Sequence, residues 1–215
     1  MSTVTKIAMG MMGKLRPKPA LGDSTPLIRL PPPSREAGLP LMQALEKRCS
    51  QRHFSQTPLS DATLSDLLWA ACGVNRSDGG RTMPSAMNAQ EIDVFVALPS
   101  GAYRYEATDH TLHLVAGCDL RSITGYQDFV DEAPLDLVYV SDHSRMHMIP
   151  VDQRVAFAYT AAGAIAQNVY LYAASNNLAT VIRAWIDRDA IANALGITHD
   201  QQVLLSQTVG YPGSS

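Results

Sequence analysis

Two stretches decide how this chain is read. Residues 47–54 run Lys47-Arg48-Cys49-Ser50-Gln51-Arg52-His53-Phe54, and residues 81–90 run Arg81-Thr82-Met83-Pro84-Ser85-Ala86-Met87-Asn88-Ala89-Gln90. The first gathers two guanidiniums, a hydroxyl and several loop N–H groups within a few residues. Arginine forks match phosphate oxygens two at a time, and loop amides add neutral donors. A solvated basic helix end, favourable to the local dipole, is the plainer alternative on these residues alone. The second stretch sets small residues and an amide side chain directly before a strand. Such a segment can lie flat against a heteroaromatic ring and bond its edge; an ordinary turn capped by Ser85 and Asn88 is its plainer alternative.

Around these stretches the hydrophobic periodicity is regular. Leu41, Ala44, Leu45 and Arg48 recur at helical spacing, which predicts a short helix that delivers Arg48 to a loop. After Pro58, Ser60 is a good N-cap for a helix whose apolar stripe is Leu64, Leu67, Leu68 and Ala71, and Gly73 is expected to close it in the left-handed conformation. Residues 75–90, punctuated by Gly79-Gly80 and Pro84, read mainly as loop. Residues 92–98 are β-rich, and 103–105 and 111–115 alternate around a turn at 108–110, a predicted hairpin. Residues 135–140 read as a largely buried strand.

The longest helix is expected over 152–176. Its interior is crowded with small residues, among them Ala156, Ala161, Ala162, Gly163, Ala164 and Ala166. Alanine favours helix and leaves a smooth face, so this helix belongs either at the centre of the fold or at a subunit interface, the latter being favoured. A strand over 180–186, a helix over 189–195 ended by Gly196, and a last strand over 203–209 stopped by Tyr211-Pro212-Gly213 complete the pattern. The meander at 92–115 makes the class α+β rather than doubly wound. Residues 1–38 differ: Pro17, Pro19, Pro26 and Pro31-Pro32-Pro33 cannot sit inside a helix or central strand. They are expected to form a proline-rich N-terminal extension, an arm or linker ahead of a domain over 39–215.

Composition narrows the classes. A chain of 215 residues favours one globular domain, and 46% hydrophobic with 17% charged residues suffices for an ordinary core. The net charge of -3 offers no basic surface to a nucleic-acid backbone. Cys49, Cys72 and Cys118 are odd in number and lack disulfide or zinc spacing, so reduced thiols and no metal are expected. No apolar run reaches the roughly 18 residues a membrane span needs. The stretch Ile7-Ala8-Met9-Gly10-Met11-Met12 is too short and interrupted for a signal peptide. A cytoplasmic protein is expected, with an exported or periplasmic one as the alternative.

In this order the two stretches resemble the nitroreductase family of FMN enzymes, whose segments read R-x-S-x-[RK]-x-F and P-S-x-x-N-x-Q. The resemblance spans roughly residues 39–212. Gly101-Ala102-Tyr103-Arg104-Tyr105, Gln127-Asp128-Phe129-Val130, Ala133-Pro134, Ala166-Gln167-Asn168 and Val209-Gly210-Tyr211-Pro212 look like the branch that includes the SagB-type dehydrogenases. The resemblance implies a three-layer sandwich with a mixed, mostly antiparallel sheet flanked by helices, in an intertwined homodimer. It implies that Arg48, Ser50 and Arg52 hold the phosphate and ribityl end of FMN, with Cys49 lending backbone. Pro84, Ser85, Ala86 and Asn88 would contact the isoalloxazine from the other subunit, and Gln127 would reach the ribityl or ring edge. Ile182, Arg183 and Ala184 sit where the family presents backbone N–H groups to flavin N5 and O4, stabilising charge as an oxyanion hole does.

The implied activity is ping-pong hydride transfer from NAD(P)H, a transient donor, through the flavin to a small organic acceptor such as a nitro compound or quinone. A dehydrogenase acting on a heterocycle or peptide-derived substrate, and a flavin-binding protein with little turnover, are the alternatives. No side chain is expected to act as nucleophile, because the redox chemistry belongs to the flavin. Two departures from the family pattern stand out. Many members carry a basic residue shortly after the final strand, whereas this sequence continues Gly213-Ser214-Ser215, and Arg183 is the candidate substitute. Where many relatives have Gly near N5, this chain has Ala184-Trp185. His143 and His147, with Asp142, have the spacing of a helical metal site but lack the glutamate of HExxH, so a variable loop is expected there. Ser85 has no G-x-S-x-G around it, and Gly73 with Gly79-Gly80 is no dinucleotide fingerprint.

Overall fold

The computed structural model describes residues 27–213. Of the N-terminal arm, Pro17, Pro19 and Pro26 lie outside the described residues, as does the apolar stretch at 7–12. Among the described residues seven strands form one sheet: β1 (Leu27–Arg29), β2 (Ile92–Leu98), β3 (Gly101–Glu106), β4 (Thr111–Ala116), β5 (Leu135–Asp142), β6 (Ala179–Arg183) and β7 (Gln201–Gly210). Their order is β1-β4-β3-β2-β5-β7-β6. Every described pairing is antiparallel, a purer sheet than the mixed one the resemblance implies.

Among the described residues four α-helices accompany it: α1 (Leu41–Lys47), α2 (Asp61–Cys72), α3 (Val151–Ser175) and α4 (Arg188–Leu195). Period-two alternation divides the core into two layers of packing. Val94 and Val96 of β2, with Leu135, Leu137 and Tyr139 of β5, face α2 and α3. Phe95, Ala97, Val138 and Val140 point the other way and pack with Ile191 and Leu195 of α4. The result is the expected three-layer α+β sandwich.

The helix signals in the sequence are realised with one correction. Ser60 Oγ accepts the Thr63 N–H at 3.1 Å, the N-cap its residue type implies. Gly73, expected left-handed, is extended at φ -67° and ψ 161°. Glycine is needed there for a different reason: a Cβ would come within 2.3 Å of the Trp69 ring. Gly196 does close α4 left-handed, at φ 66°. The strand expected over 180–186 stops at Arg183. Beyond it the backbone bends, Ala184 and Trp185 face outward, and Ile186 turns back into the core beside α4.

The alanine-rich α3 lies against the sheet through Ala158, Ala162, Ile165, Ala166 and Val169. Its opposite side is also poor in charge: Ala156, Phe157, Thr160, Gly163 and Gln167 are exposed. A Cβ added at Gly163 would meet nothing within 4 Å. No helix among the described residues is long and apolar enough to cross a membrane.

Candidate active site

The basic segment leaves α1 at Lys47 and crosses the end of the sheet as an exposed loop. It is fastened at three places. The Gln51 N–H donates to Thr180 O of β6 at 3.0 Å, the Ser55 N–H donates to Tyr211 O at 2.9 Å, and the Gly213 N–H donates to His53 O at 3.0 Å. The Arg48 guanidinium rests over the Tyr170 ring, 5.3 Å from its centroid. These anchors use backbone atoms and a ring face. Two openings that meet at Pro212 flank the segment: Cys49 borders the first and Arg52 the second, while Arg48 and Ser50 border neither. One, of about 190 Å³, is bordered by Lys47, Cys49, Tyr170 and Thr180. The other, of about 640 Å³, is bordered by Arg52, His53, Asp128 and Phe129.

Tyr170 ties this segment to β6. Its hydroxyl lies 2.8 Å from Ser50 Oγ and accepts the Ile182 N–H at 3.0 Å. That amide is therefore already engaged, which leaves Ala184 and Trp185, at exposed positions past the strand end, as the outward-facing part of the segment. A second link runs through rings: Phe54 packs on Phe129 with centroids 5.5 Å apart, and the Arg183 guanidinium lies 5.7 Å from the Phe129 centroid. Residues 48–52, the loop of Gln127 and the end of β6 thus share one edge of the molecule.

Arg183 is placed differently from the sequence-based suggestion that its charge substitutes at a phosphate. Strand alternation turns its side chain inward, where it is buried. The guanidinium donates to Asp136 Oδ1 at 2.6 Å, to Thr124 O at 2.8 Å and to Thr208 Oγ1 at 2.7 Å. Burial pushes the Asp136 carboxyl up, opposed by the Arg183 charge, and pushes the Arg183 guanidinium down, opposed by Asp136. The group is a positioning device: a Cβ on Gly125 would fall 1.7 Å from Arg183 Nη1, so this arginine and the 124–129 loop fit only because residue 125 is glycine. Its backbone, not its charge, remains a candidate for the site.

The second stretch sits elsewhere on the protomer. Residues Ala86–Asn88 form a 3-10 turn, and Met87, Asn88 and Gln90 have φ of 55°, 54° and 50°. Three non-glycine residues in the left-handed region store strain that the surroundings must hold. Ser85 Oγ does part of this by accepting the Gln90 N–H at 2.9 Å, and Gln90 Nε2 donates to Gly79 O at 3.1 Å. Pro84 and Asn88 are exposed, and Ser85 and Ala86 half-buried. Among the described residues no hydrogen bond, ion pair or ring contact joins 84–88 to 48–52. Helix α3 stands between them: Asn168 donates to Ala71 O and Thr82 O, both at 3.4 Å, while Tyr170 reaches the other way.

Tyr170 is the residue that sequence reading missed. Nothing in the sequence sets it apart, because the same helix carries Phe157, Tyr159 and Tyr172. Tyr126 is the other residue missed; its ring lies 5.5 Å, centroid to centroid, from that of Trp185.

Comparison with known proteins places these observations. The family model described as the nitroreductase family matches residues 45–211. A curated protein of Methanocaldococcus jannaschii, provisionally described as a nitroreductase, is 30% identical over 160 residues, 69% of this chain and 81% of its own length. A crystal structure from Ralstonia eutropha JMP134, also provisionally described as a nitroreductase, is 51% identical with a TM-score of 0.86, covering 94% of this chain and 96% of that one. A further structure, from Desulfovibrio desulfuricans and in complex with FMN, shares the fold at 21% identity and a TM-score of 0.57, covering 82% and 90% of the two chains.

Proposed function

The chain belongs to the nitroreductase family, and on that premise we propose that it is an FMN-dependent oxidoreductase that uses NAD(P)H to reduce a small organic acceptor. The observation that carries this reading is the hydroxyl of Tyr170. Because its oxygen accepts the Ile182 N–H, its own proton is available to Ser50 Oγ. Ser50 is then left with its proton to donate outward, towards an acceptor oxygen lying beside Arg48 and Arg52. Two guanidiniums, a lysine and an outward hydroxyl are a donor set that fits a phosphomonoester. The residues present therefore fit the phosphate end of FMN.

In this reading Arg48, Ser50 and Arg52 bind the phosphate and ribityl chain, and Cys49 contributes backbone. Gln127 orients the ribityl or ring edge, and the amides past Ile182 and Arg183, beginning with Ala184, face the N5 side of the ring. Bound there, FMN would supply the two-electron chemistry between nicotinamide and acceptor. The chain's own contribution is to bind, orient and stabilise developing negative charge with backbone donors.

Pro84, Ser85, Ala86 and Asn88 complete the site from a second copy of the chain. Two features support a homodimer: among the described residues the strained 84–90 loop has no hydrogen bond, ion pair or ring contact with its own 48–52 segment, and α3 exposes a face poor in charge. A helix face lacking charge favours close helix contact. The FMN-binding domain runs over 39–215, and the proline-rich stretch 1–38 is an extension that lends it β1 as an edge strand paired with β4, with Leu30 in the core.

Two-substrate kinetics test the mechanism. With NADPH and an acceptor both varied, double-reciprocal lines should be parallel, as for a donor that leaves before the acceptor binds. Intersecting lines would mean that both occupy the site together and would overturn the alternating scheme.

A further inference from the structure

We infer that His110 is a pH-operated latch: it holds the strap of residues 27–36 against helix α2 while its imidazole is neutral, and loosens the strap when the ring gains a proton.

The strap is β1 and the prolines that follow it. Leu30 is buried in the core, the Ser34 N–H donates to Asp66 Oδ1 of α2 at 2.7 Å, and the Arg35 guanidinium lies 5.2 Å from the Trp69 ring centroid. Between these points runs Pro31-Pro32-Pro33, which has no N–H to offer, so only its carbonyls can be hydrogen-bonded. The bond is made at Pro31, whose carbonyl accepts the Ser65 hydroxyl at 2.6 Å. Ser65 is fully buried, and its Oγ lies 2.7 Å from His110 Nε2. The Leu30 N–H donates to His110 O at 3.3 Å, so His110 meets the strap through both ring and backbone.

The direction of each bond fixes the state of the imidazole. Ser65 gives its one proton to Pro31 O, so its oxygen accepts from Nε2–H. Nδ1 is then the bare nitrogen, and it accepts the Tyr105 hydroxyl at 2.8 Å. A proton on Nδ1 sets a donor against a donor. Tyr105 is buried, and among the described residues its hydroxyl has no second partner, so the displaced phenol proton loses its acceptor. Burial keeps this phenol protonated. Burial also holds the His110 pKa below the ordinary histidine value, opposed by the Pro31 carbonyl and by Asp66. Cys72, Arg81 and Glu106, the other titratable or charged groups at the cluster, act on Tyr105.

The sign follows from linkage. A freed ring with an ordinary pKa binds a proton more tightly than the latched one. Opening therefore rises as pH falls from the ordinary histidine value to the lowered one, by about tenfold for each unit between them, and levels off below. The latch lies at the β1 edge of the sheet and the 48–52 segment is fastened at the β6 edge, so the two respond separately.

Hydrogen exchange of the full-length protein at about pH 7.5 and about pH 5, corrected for the intrinsic pH dependence of exchange, tests this. The Leu30 and Ser34 amides should lose protection in acid while the central strand β5 keeps its own. Asparagine tolerates the φ of 54° found at His110, so H110N should fold, and its strap should show no acid response. Y105F removes the hydroxyl that favours the neutral ring. In that variant the His110 pKa, read from ring ¹⁵N shifts, should rise, and the acid-induced loss of protection should shrink with it. The chain has six histidines, and the signal missing from H110N identifies the ring. Equal strap protection at both pH values overturns the inference. So does an acid response that persists in H110N, or a Y105F variant whose His110 pKa and acid response match those of the unaltered protein.

Discussion

The hydroxyl of Tyr170 lies 2.8 Å from Ser50 Oγ, a contact across 120 residues of chain. It couples the basic loop after α1 to the longest helix, and through the Ile182 amide to the edge strand β6. One phenol therefore fixes the distance between the proposed phosphate-binding loop and the proposed N5-facing segment.

Tyr170→Phe removes that hydroxyl and keeps the ring under Arg48. The Ile182 N–H then loses its partner, so unfolding free energy should fall by about 1–3 kcal/mol in urea titrations. FMN should also bind more weakly, because Ser50 is no longer oriented. A variant with unaltered stability and unaltered FMN affinity would show that the bridge is incidental.

Arg48→Ala deletes a charge-assisted contact. FMN affinity measured by flavin fluorescence should drop by about 1.5–3 kcal/mol. Unchanged affinity would remove Arg48 from the site.

Arg183→Ala leaves Asp136 charged, buried and without its cation. Breaking a buried pair from one side should cost about 3–5 kcal/mol of stability, whereas R183M/D136L, which removes both charges, should recover most of it. Equal losses in the single and double variants would mean that the pair serves packing rather than charge compensation.

Glu91 tests the electrostatics of the sheet end. It is fully buried, and neither carboxylate oxygen has a hydrogen-bond partner among the described residues. Burial raises its pKa, while its own backbone amide and then Arg145 pull it down. A carboxyl raised in the folded state holds its proton there more tightly than in the unfolded chain. Its contribution is therefore favourable at low pH and is lost as pH rises from the ordinary carboxylate range through the raised value. Glu91→Gln should stabilise the protein at pH 8, by about 1–3 kcal/mol, and much less at pH 4. Thermal unfolding at the two pH values checks this; a variant less stable at pH 8 would mean that the charge has a partner.

Much of the fold was legible because it rests on local periodicity. The Ser60 cap, the Leu64-Leu67-Leu68-Ala71 stripe and the alternation of β2 and β5 each depend on neighbours a few residues apart. Both site segments could be picked out for the same reason, their residue types being concentrated in short runs. What escaped was long-range or dependent on parity. Nothing near Tyr170 in sequence says that its hydroxyl meets Ser50 and Ile182. The inward turn of Arg183 follows from the register of β6 on β7, which pairs Arg183 with Ser206 and cannot be read from the arginine itself. Gly73 was misread because glycine answers to two demands, backbone freedom and close packing, and here the Trp69 ring sets the second.

The absorbance spectrum of the purified protein, taken before and after addition of FMN and then NADPH without oxygen, tests the central claim most directly. The account expects a retained flavin spectrum that bleaches on NADPH addition. A colourless protein that releases added FMN on desalting would contradict it, leaving a nitroreductase fold without the family's cofactor.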